Sequence, residues 1–79
     1  MDKTLTVYPI ATGDMLNVFA SELICSLKIM DMNGKVWLGL DNVKSKKNTI
    51  DIKQLPGATY IVEVLFADHR LGRSVFVKI

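Results

Sequence analysis

Residues 26–40 have the sequence SLKIMDMNGKVWLGL, and this stretch predicts a β-hairpin. Before Asn33-Gly34, apolar and polar residues alternate with period two, which is the pattern of a half-buried strand. The Asn-Gly pair favours a two-residue type I′ turn, because both central residues of that turn have positive φ. The turn sets three pairs of residues opposite each other: Met30 and Trp37, Ile29 and Leu38, Leu27 and Leu40. The last two pairs share one face, which we predict to be buried.

The chain on both sides of this hairpin also has strand patterns separated by turn residues. We predict further strands at residues 5–8, 15–19, 49–52, 59–67 and 70–79, and a polar loop at 41–48. Pro9 ends the first of these strands, and Gly13 lies in the turn that follows it. Seven short strands separated by turns predict an all-β fold, an antiparallel β-sandwich of about seven strands.

Residues 55–60, LPGATY, narrow this prediction to an immunoglobulin-like sandwich. They resemble the tyrosine corner of such domains, in which a Tyr at the start of a strand donates its hydroxyl to backbone a few residues upstream. We predict that Tyr60 makes this bond near Ile52 or Lys53. The same strand then has an inward stripe with period two, which consists of Tyr60, Val62, Val64 and Phe66.

The register of the last hairpin has two solutions. A two-residue turn at Asp68-His69 would place Arg73 on the same face as Val64, and a charged side chain fits that buried face poorly. A longer loop or a bulge at Gly72 would correct the register. The sequence does not decide between these two corrections.

Composition limits the function classes. The chain has 79 residues, enough for one domain, and ten Lys and Arg against eight Asp and Glu give a formal charge of +2. This balance is too even for a dedicated nucleic-acid-binding domain. The longest apolar run has four residues, whereas a transmembrane helix needs about 20. Residues 1–4 do not begin a secretory signal, so an export signal would have to lie on other sequence.

Few residues are candidates for catalysis or for metal or ligand binding. We predict Cys25 as an inert core thiol, on the buried stripe of Leu27 and Ile29. Asp68-His69 and the lysines at 44–47 are predicted to be solvated, and the spacing of the Asp residues matches no calcium loop. Trp37 and Met30 form either a cross-strand pair or an aromatic ligand platform. No catalytic residue, metal site or cofactor is predicted, and an enzyme is not expected.

Four motifs follow one another along the chain. They are Val7-Tyr8-Pro9 with Ala11-Thr12-Gly13-Asp14, the strand–turn–strand block at 27–36, the block at 50–64 with Leu55-Pro56 and Thr59-Tyr60, and Arg73-Ser74-Val75-Phe76-Val77-Lys78. In this order they resemble the C-terminal sorting domain of type IX secretion system substrates. The resemblance covers residues 4–79, while residues 1–3 are predicted to be an added or flexible start. Three departures from the family are Ile10 in place of Asn-Pro, Gly57-Ala58 in place of Ala-Gly, and Asp68-His69 in place of Asp-Gly.

The resemblance implies a non-catalytic secretion signal. Such a domain directs a cargo protein, joined to its N-terminal side, through the type IX translocon across the outer membrane. The cargo passes through the periplasm, and a sortase-type surface peptidase usually removes the domain, so that the cargo is on the cell surface or secreted. The alternative is an immunoglobulin-like accessory or adhesion module that binds glycan or protein.

The resemblance also implies a division of the notable residues into two groups. Recognition by the translocon is assigned to the last strand, at Arg73, Val75, Phe76, Val77 and Lys78. Structural roles are assigned to turn and corner residues, at Pro9, Gly13, Asn33, Gly34 and Tyr60.

Overall fold

A computed structural model describes residues 5–9 and 11–79, and this part of the chain contains strands and no helix. The strands are β1 (Leu5–Tyr8), β2 (Ala11–Thr12), β3 (Met15–Asp31), β4 (Val36–Leu40), β5 (Ser45–Asp51), β6 (Ala58–Phe66) and β7 (Leu71–Lys78). The predicted flexible start at residues 1–3, and Ile10 in the first turn, lie outside the described residues. Within the described ranges, no helix could cross a membrane.

The long strand β3 organises the fold. Its first half pairs with β1 on one edge and with β5 on the other, and its second half pairs with β6 and β4 in the same way. Residues 36–51 therefore run antiparallel along almost the whole of β3. The sheet is mixed, because β2 pairs with the end of β7 in parallel. The prediction of an all-β, immunoglobulin-like fold is confirmed, but a wholly antiparallel arrangement is wrong.

The two halves of β3 contribute to one hydrophobic core although their inward residues differ in parity. Leu16 and Val18 point inward in the first half, and Leu27 and Ile29 do so in the second. A β-bulge at Cys25 changes which residues of β3 point inward, since Ile24 lies opposite Phe66 and Ser26 lies opposite Leu65. Cys25 is consequently exposed. The prediction of a buried core thiol, made by counting back in twos from Leu27, is wrong.

The hairpin between β3 and β4 has a three-residue loop, not the predicted two-residue turn. The Asp31 amide donates to the Lys35 carbonyl at 2.9 Å, and the Gly34 amide donates to the Asp31 carbonyl at 3.0 Å. Gly34 has a φ of 87°, and Asn33 has no positive φ, so the turn is not type I′. The observed geometry is a turn followed by one left-handed residue.

A second irregularity restores the predicted pairs further along this hairpin. Met30 lies opposite Val36, and the register shifts by one residue before Ile29 meets Leu38. Trp37 is the extra residue of this bulge. The predicted pair of Met30 and Trp37 is therefore wrong, whereas the pairs of Ile29 with Leu38 and of Leu27 with Leu40 are confirmed.

We expect Gly34→Val to lower the free energy of unfolding by about 1–2 kcal/mol, because a β-branched residue is strained at positive φ. Gly39→Val in the same hairpin is the matched control. A Cβ at Gly39 would meet no atom within 4 Å, and its φ is not positive. That variant should lie within about 0.5 kcal/mol of the parent or above it. Urea unfolding measures both, and equal stabilities would contradict this account of the loop.

Two other predicted strand boundaries differ from those in the structure. The strands predicted at 15–19 and 26–31 are parts of one continuous strand. The second half of the predicted polar loop at 41–48 belongs to β5, because Lys47 and Asn48 pair with Phe19 and Val18. A polar surface sequence on an outer strand gives no apolar alternation from which a strand could be predicted.

The last hairpin resolves the open register in favour of a longer loop. The Phe66 amide donates to the Arg70 carbonyl at 2.8 Å, and the His69 amide donates to the Phe66 carbonyl at 2.9 Å. His69 occupies the left-handed position of this three-residue loop, with a φ of 71°. Arg73 then lies opposite Glu63, and Gly72 lies opposite Val64. A Cβ at Gly72 would lie 2.8 Å from the Phe66 ring, so glycine is required there for packing.

Tyr60 forms the predicted tyrosine corner. Its hydroxyl donates to the Pro56 carbonyl at 2.5 Å, four residues upstream, and not to the predicted acceptors at 52–53. Its ring stacks on that of Phe76, with centroids 5.6 Å apart. The inward stripe predicted for this strand, Tyr60, Val62, Val64 and Phe66, is buried throughout. Tyr60 thus joins the start of β6 to β7.

Candidate functional site on the C-terminal strand

The predicted recognition residues divide between the two sides of β7. Phe76 is fully buried in the core, whereas Arg73, Val75 and Val77 are exposed. Lys78 follows with the parity of Phe76, and its ammonium donates to the carbonyl of Ile79 at 3.0 Å. The structure therefore brings three of the five predicted residues to one surface. Phe76 cannot contact a partner while the domain remains folded.

These three residues belong to a larger surface, which we call the outer face. It consists of the solvent-side residues of β4, the second half of β3, β6 and β7. Residues that lie opposite each other in neighbouring antiparallel strands point to the same side of a sheet. One row across the four strands is apolar throughout, and it consists of Val36, Met30, Ile61 and Val75.

The next row of the outer face is charged. Glu63 lies between Lys28 and Arg73, with its carboxylate 3.3 Å from the Lys28 ammonium and 2.7 Å from the Arg73 Nε. Glu63 is only 7% exposed, although it is on the solvent side of the sheet. Burial by itself would raise the pKa of Glu63, but the hydrogen bonds and charges of Arg73 and Lys28 outweigh it and hold that pKa below its usual value. The carboxylate is therefore ionised at neutral pH.

A shallow groove of about 350 Å³ adjoins this charged row. Its walls include Val36, Leu65 and Leu71, and the charged residues Lys28, Glu63 and Asp41 border it. Gly39 lies opposite Lys28 and leaves open space where another residue would place a side chain. The groove is thus an apolar depression bordered by charged side chains of both signs.

The comparison with known families decides what this chain is. The family described as "Secretion system C-terminal sorting domain" matches residues 6–78. The chain belongs to this family. The identification made from four motifs in sequence order is confirmed, and the match includes β7 through Lys78. No curated protein matches the sequence.

A solved structure supports the fold of this sorting domain. The crystal structure of CopC from Methylosinus trichosporium OB3b is similar with a TM-score of 0.51 and 18% sequence identity. The similarity covers 99% of this chain and 87% of that chain. At this identity the likeness shows the immunoglobulin-like all-β fold alone.

Trp37 of the sorting domain is held by neighbours on several sides. Its indole donates to the Asp31 carboxylate at 3.1 Å, and its ring meets that of Tyr60 edge-on at 6.5 Å. The Lys35 ammonium lies 4.2 Å from the ring centroid. The indole bond and the turn amides of Lys35 and Asn33 lower the pKa of Asp31, although slight burial opposes them. These contacts give Trp37 a structural role, in closing the end of the hairpin over the tyrosine corner.

The other candidates from the sequence are not brought together with the outer face. Cys25 is exposed on its bulge, and His69 lies in the last loop. Within residues 5–9 and 11–79, no three His, Cys, Asp or Glu side chains are placed to hold a metal ion. Asp31 and Asp51 instead accept hydrogen bonds from backbone amides two residues further along. Pro9 follows a cis peptide bond, and a Cβ at Gly13 would lie 3.8 Å from the Ile79 carbonyl oxygen.

Glu63 was absent from the predicted site, although a signal existed in the sequence. A single acidic residue stands in the otherwise apolar segment 60–66. Such a residue needs an ionic partner on the neighbouring strands. Finding that partner requires the register of the last hairpin, which the sequence left open.

The pH dependence of stability provides a test of the charged row. A carboxylate whose pKa is lowered by folding stabilises the folded state above its unfolded pKa, and that contribution is lost as the pH falls through the folded pKa. The pH range over which the contribution of Glu63 is lost therefore lies below the ordinary pKa of this group, 4.5. We expect Glu63→Gln to be less stable than the parent by about 1 kcal/mol at pH 7, because both cations stay partly hydrated. The difference should shrink as the pH is lowered from 5 towards 2, roughly across the titration range of a carboxyl group.

Urea unfolding of both proteins across this range measures the difference. Asp51→Asn serves as the control, because Asp51 is an exposed carboxylate on β5, 4.0 Å from the exposed Lys53 ammonium and outside the outer face. A gap between parent and Glu63→Gln that stays constant with pH would contradict the ion pairing of Glu63.

Proposed function

We propose that this domain is the C-terminal signal that directs an exported cargo protein through the type IX secretion system. The cargo crosses the outer membrane from the periplasm and reaches the cell surface or the medium. The match of residues 6–78 to the sorting-domain family is the observation that carries the proposal. The domain acts as a transport signal and catalyses no reaction of its own.

The structure of β7 supports recognition of a folded domain. Phe76 anchors the strand in the core by stacking on Tyr60. The alternating residues Arg73, Val75 and Val77 are exposed while the strand is held in place. A partner could therefore contact these side chains without unfolding the domain. A preorganised strand also lowers the entropic cost of binding.

The proposed partners follow from this role. The translocon recognises the domain, a cargo is joined to its N-terminal side, and a sortase-type surface peptidase separates the two after transport. Arg73, Val75 and Val77 are the proposed contacts. Pro9, Gly13, Gly34, Asn33 and Tyr60 are proposed to maintain the shape that presents them.

A reporter fusion tests the proposal. The 79-residue chain is joined to the C-terminal end of a reporter that carries its own signal for transport into the periplasm. In a host with the type IX machinery, external protease should degrade the reporter on intact cells. In an otherwise identical host without the translocon, the reporter should stay protected. A reporter that is protected in both hosts would contradict the proposed function.

A further inference from the structure

We infer that two copies of this domain associate through the outer face, about a two-fold axis that runs parallel to the strands between β3 and β6. The partner is therefore a second copy of this chain. This inference goes beyond the proposed function, because it concerns the domain by itself and not its transport. It bears on transport in one respect. The dimer covers Arg73 and Val75, which are two of the proposed translocon contacts, so self-association and recognition exclude each other.

Exposed apolar side chains suit the outer face to association. The row of Val36, Met30, Ile61 and Val75 crosses four strands without a charge. At the two ends of this row, Val36 is 50% exposed and Val75 is 48% exposed. Contiguous apolar area on the surface of a domain marks a site where another protein surface binds. Removing this row from water is the main favourable term that we expect in the association.

The two-fold axis sets apolar residues against apolar residues. A rotation about an axis parallel to the strands keeps each row at its own level, and it exchanges β3 with β6 and β4 with β7. Met30 then faces Ile61 of the second copy, and Val36 faces Val75. The two sheets pack face to face in the aligned manner of β-sandwiches. Such an interface is isologous, so each of these contacts occurs twice.

The charged residues of the outer face are complementary about the same axis. Two cations, Lys28 and Arg73, are balanced by the carboxylates of Glu63 and Asp41. Across the sheet the signs alternate, from Asp41 directly after β4, through Lys28 on β3 and Glu63 on β6, to Arg73 on β7. The axis sets Lys28 of one copy against Glu63 of the other, and Arg73 against the side that carries Asp41. Opposite charges therefore meet in both halves of the interface.

The groove receives the Arg73 side chain of the second copy. Arg73 and Gly39 lie in one row on the two outermost strands of the outer face, so the axis places Arg73 over the open space at Gly39. Asp41 borders the groove and forms no ion pair within residues 5–9 and 11–79. Arg73 uses its Nε for Glu63, so its terminal nitrogens remain as donors in the described part of the chain. A carboxylate is the planar acceptor that suits a guanidinium.

The size of the outer face sets the kind of dimer that we expect. The face is four strands wide, and neighbouring strands are about 4.8 Å apart. A contact of this width lies at the small end of specific interfaces. We therefore expect a reversible dimer whose population depends on protein concentration, and not an obligate one.

Sedimentation equilibrium of the purified 79-residue chain, at concentrations up to about 1 mM, measures the dissociation constant of the dimer. Three variants change the outer face. Val75→Glu places a charge in the apolar row. Gly39→Phe fills the groove, where a Cβ meets no atom within 4 Å, and Asp41→Lys reverses a charge at the border of the groove. Each should raise the dissociation constant by about tenfold or more, as the loss of a central interface contact does.

Two controls make the same kinds of change outside the outer face. Phe19→Glu matches Val75→Glu, because Phe19 lies on the first half of β3 and is also 48% exposed. Asp51→Lys matches Asp41→Lys, because Asp51 is an exposed carboxylate on β5. Both controls should stay within about twofold of the parent, as expected for residues outside the interface. Far-UV circular dichroism and melting temperature establish that each variant is folded.

Cross-linking tests the two-fold axis. The exposed thiol is first removed by Cys25→Ser. Chains with Val36→Cys and chains with Val75→Cys are then mixed and treated with a thiol-reactive linker that spans about 10 Å, the distance between packed sheets. The axis places position 36 about 10 Å from position 75 of the second copy, but about 17 Å from position 36 of that copy, which is three strand spacings further across. The mixture should be cross-linked, whereas either chain alone should not.

Each outcome decides the matter. A parent that stays monomeric at about 1 mM, where even a weak complex is populated, would overturn the dimer. A dimer that the three outer-face variants leave intact, or that Phe19→Glu weakens equally, would overturn the outer face as its surface. Cross-linking of either chain alone as readily as the mixture would overturn the two-fold axis. All of these results leave the proposed function standing, because the reporter assay measures delivery and not association.

Discussion

Tyr60→Ala should lower the free energy of unfolding by about 3–5 kcal/mol, the range for removing a buried aromatic side chain. Tyr60 is fully buried between Phe76, whose ring centroid is 5.6 Å away, and Trp37, at 6.5 Å. The substitution leaves a cavity where β6, β7 and the hairpin end meet. In a domain of this size such a loss is a large part of the total stability, so the variant should be mostly unfolded.

Tyr60→Phe separates the hydrogen bond from the packing. It keeps the ring but removes the donor to the Pro56 carbonyl, and we expect a cost of about 0.5–1.5 kcal/mol. Burial and the nearby charge of Asp31 raise the pKa of Tyr60, so its hydroxyl is a proton donor throughout the neutral range. Urea unfolding of the parent and both variants gives the order. A neutral Tyr60→Phe with a mild Tyr60→Ala would contradict the tyrosine corner.

Deletion of residues 75–79 should unfold the domain as well as stop delivery. It removes Phe76, which is fully buried, and with it the β7 backbone pairing of Tyr60 and Thr59. The lost aromatic packing alone costs about 3–5 kcal/mol. Deletion of Ile79 is the milder control, since it removes a highly exposed side chain and the 3.0 Å hydrogen bond from its amide to the Thr12 carbonyl. It should cost about 0.5–1.5 kcal/mol.

Thermal unfolding followed by circular dichroism measures both truncations. A cooperative transition near the parent's melting temperature after loss of residues 75–79 would contradict the role of Phe76 in the core. The result also bears on how truncations are interpreted. A delivery defect after removal of this segment cannot by itself separate recognition from folding, whereas a substitution of an exposed β7 residue such as Val75 can.

Local patterns predicted much of the core. The alternation in residues 60–66 identified Tyr60, Val62, Val64 and Phe66, because a strand in a half-buried sheet has a period of two whatever its neighbours are. The pairs of Leu27 with Leu40 and of Ile29 with Leu38 also agree with the structure. The agreement of these two pairs results from two register shifts that cancel. The longer loop shifted the register by one residue, and the bulge at Trp37 shifted it back.

Bulges account for the main errors. A single extra residue at Cys25 reverses which side of β3 is buried, so counting in twos from Leu27 gave the wrong side for this thiol. Leu16 and Val18 have the opposite parity from Leu27 and Ile29, but this signals a bulge only once β3 is known to be one continuous strand. The parallel pairing of β2 with β7 could not be predicted, because two residues have no detectable period and the pairing is formed with the far end of the chain.

The sequence predicted only those residues of the candidate site that lie on β7. Alternation in the last strand suffices to put Arg73, Val75 and Val77 together, and Phe76 on the other side. The contribution of Glu63 and Lys28 depends on two registers, those of β6 with β3 and of β6 with β7. The first needs a bulge and the second a three-residue loop, and neither is specified by composition or period. The outer face is therefore a property of the assembled sheet.

The position of the domain in a fusion protein tests the central claim most directly, because a sorting signal of this family acts from the end of the chain and an accessory or adhesion module does not depend on its place. The measurement is the fraction of reporter degraded by external protease on intact cells with the type IX machinery. The account predicts surface delivery when the 79-residue chain is at the C-terminal end. It predicts protected, periplasmic reporter when the same chain stands between the export signal and the reporter. Equal delivery from both positions, or from neither, would contradict it.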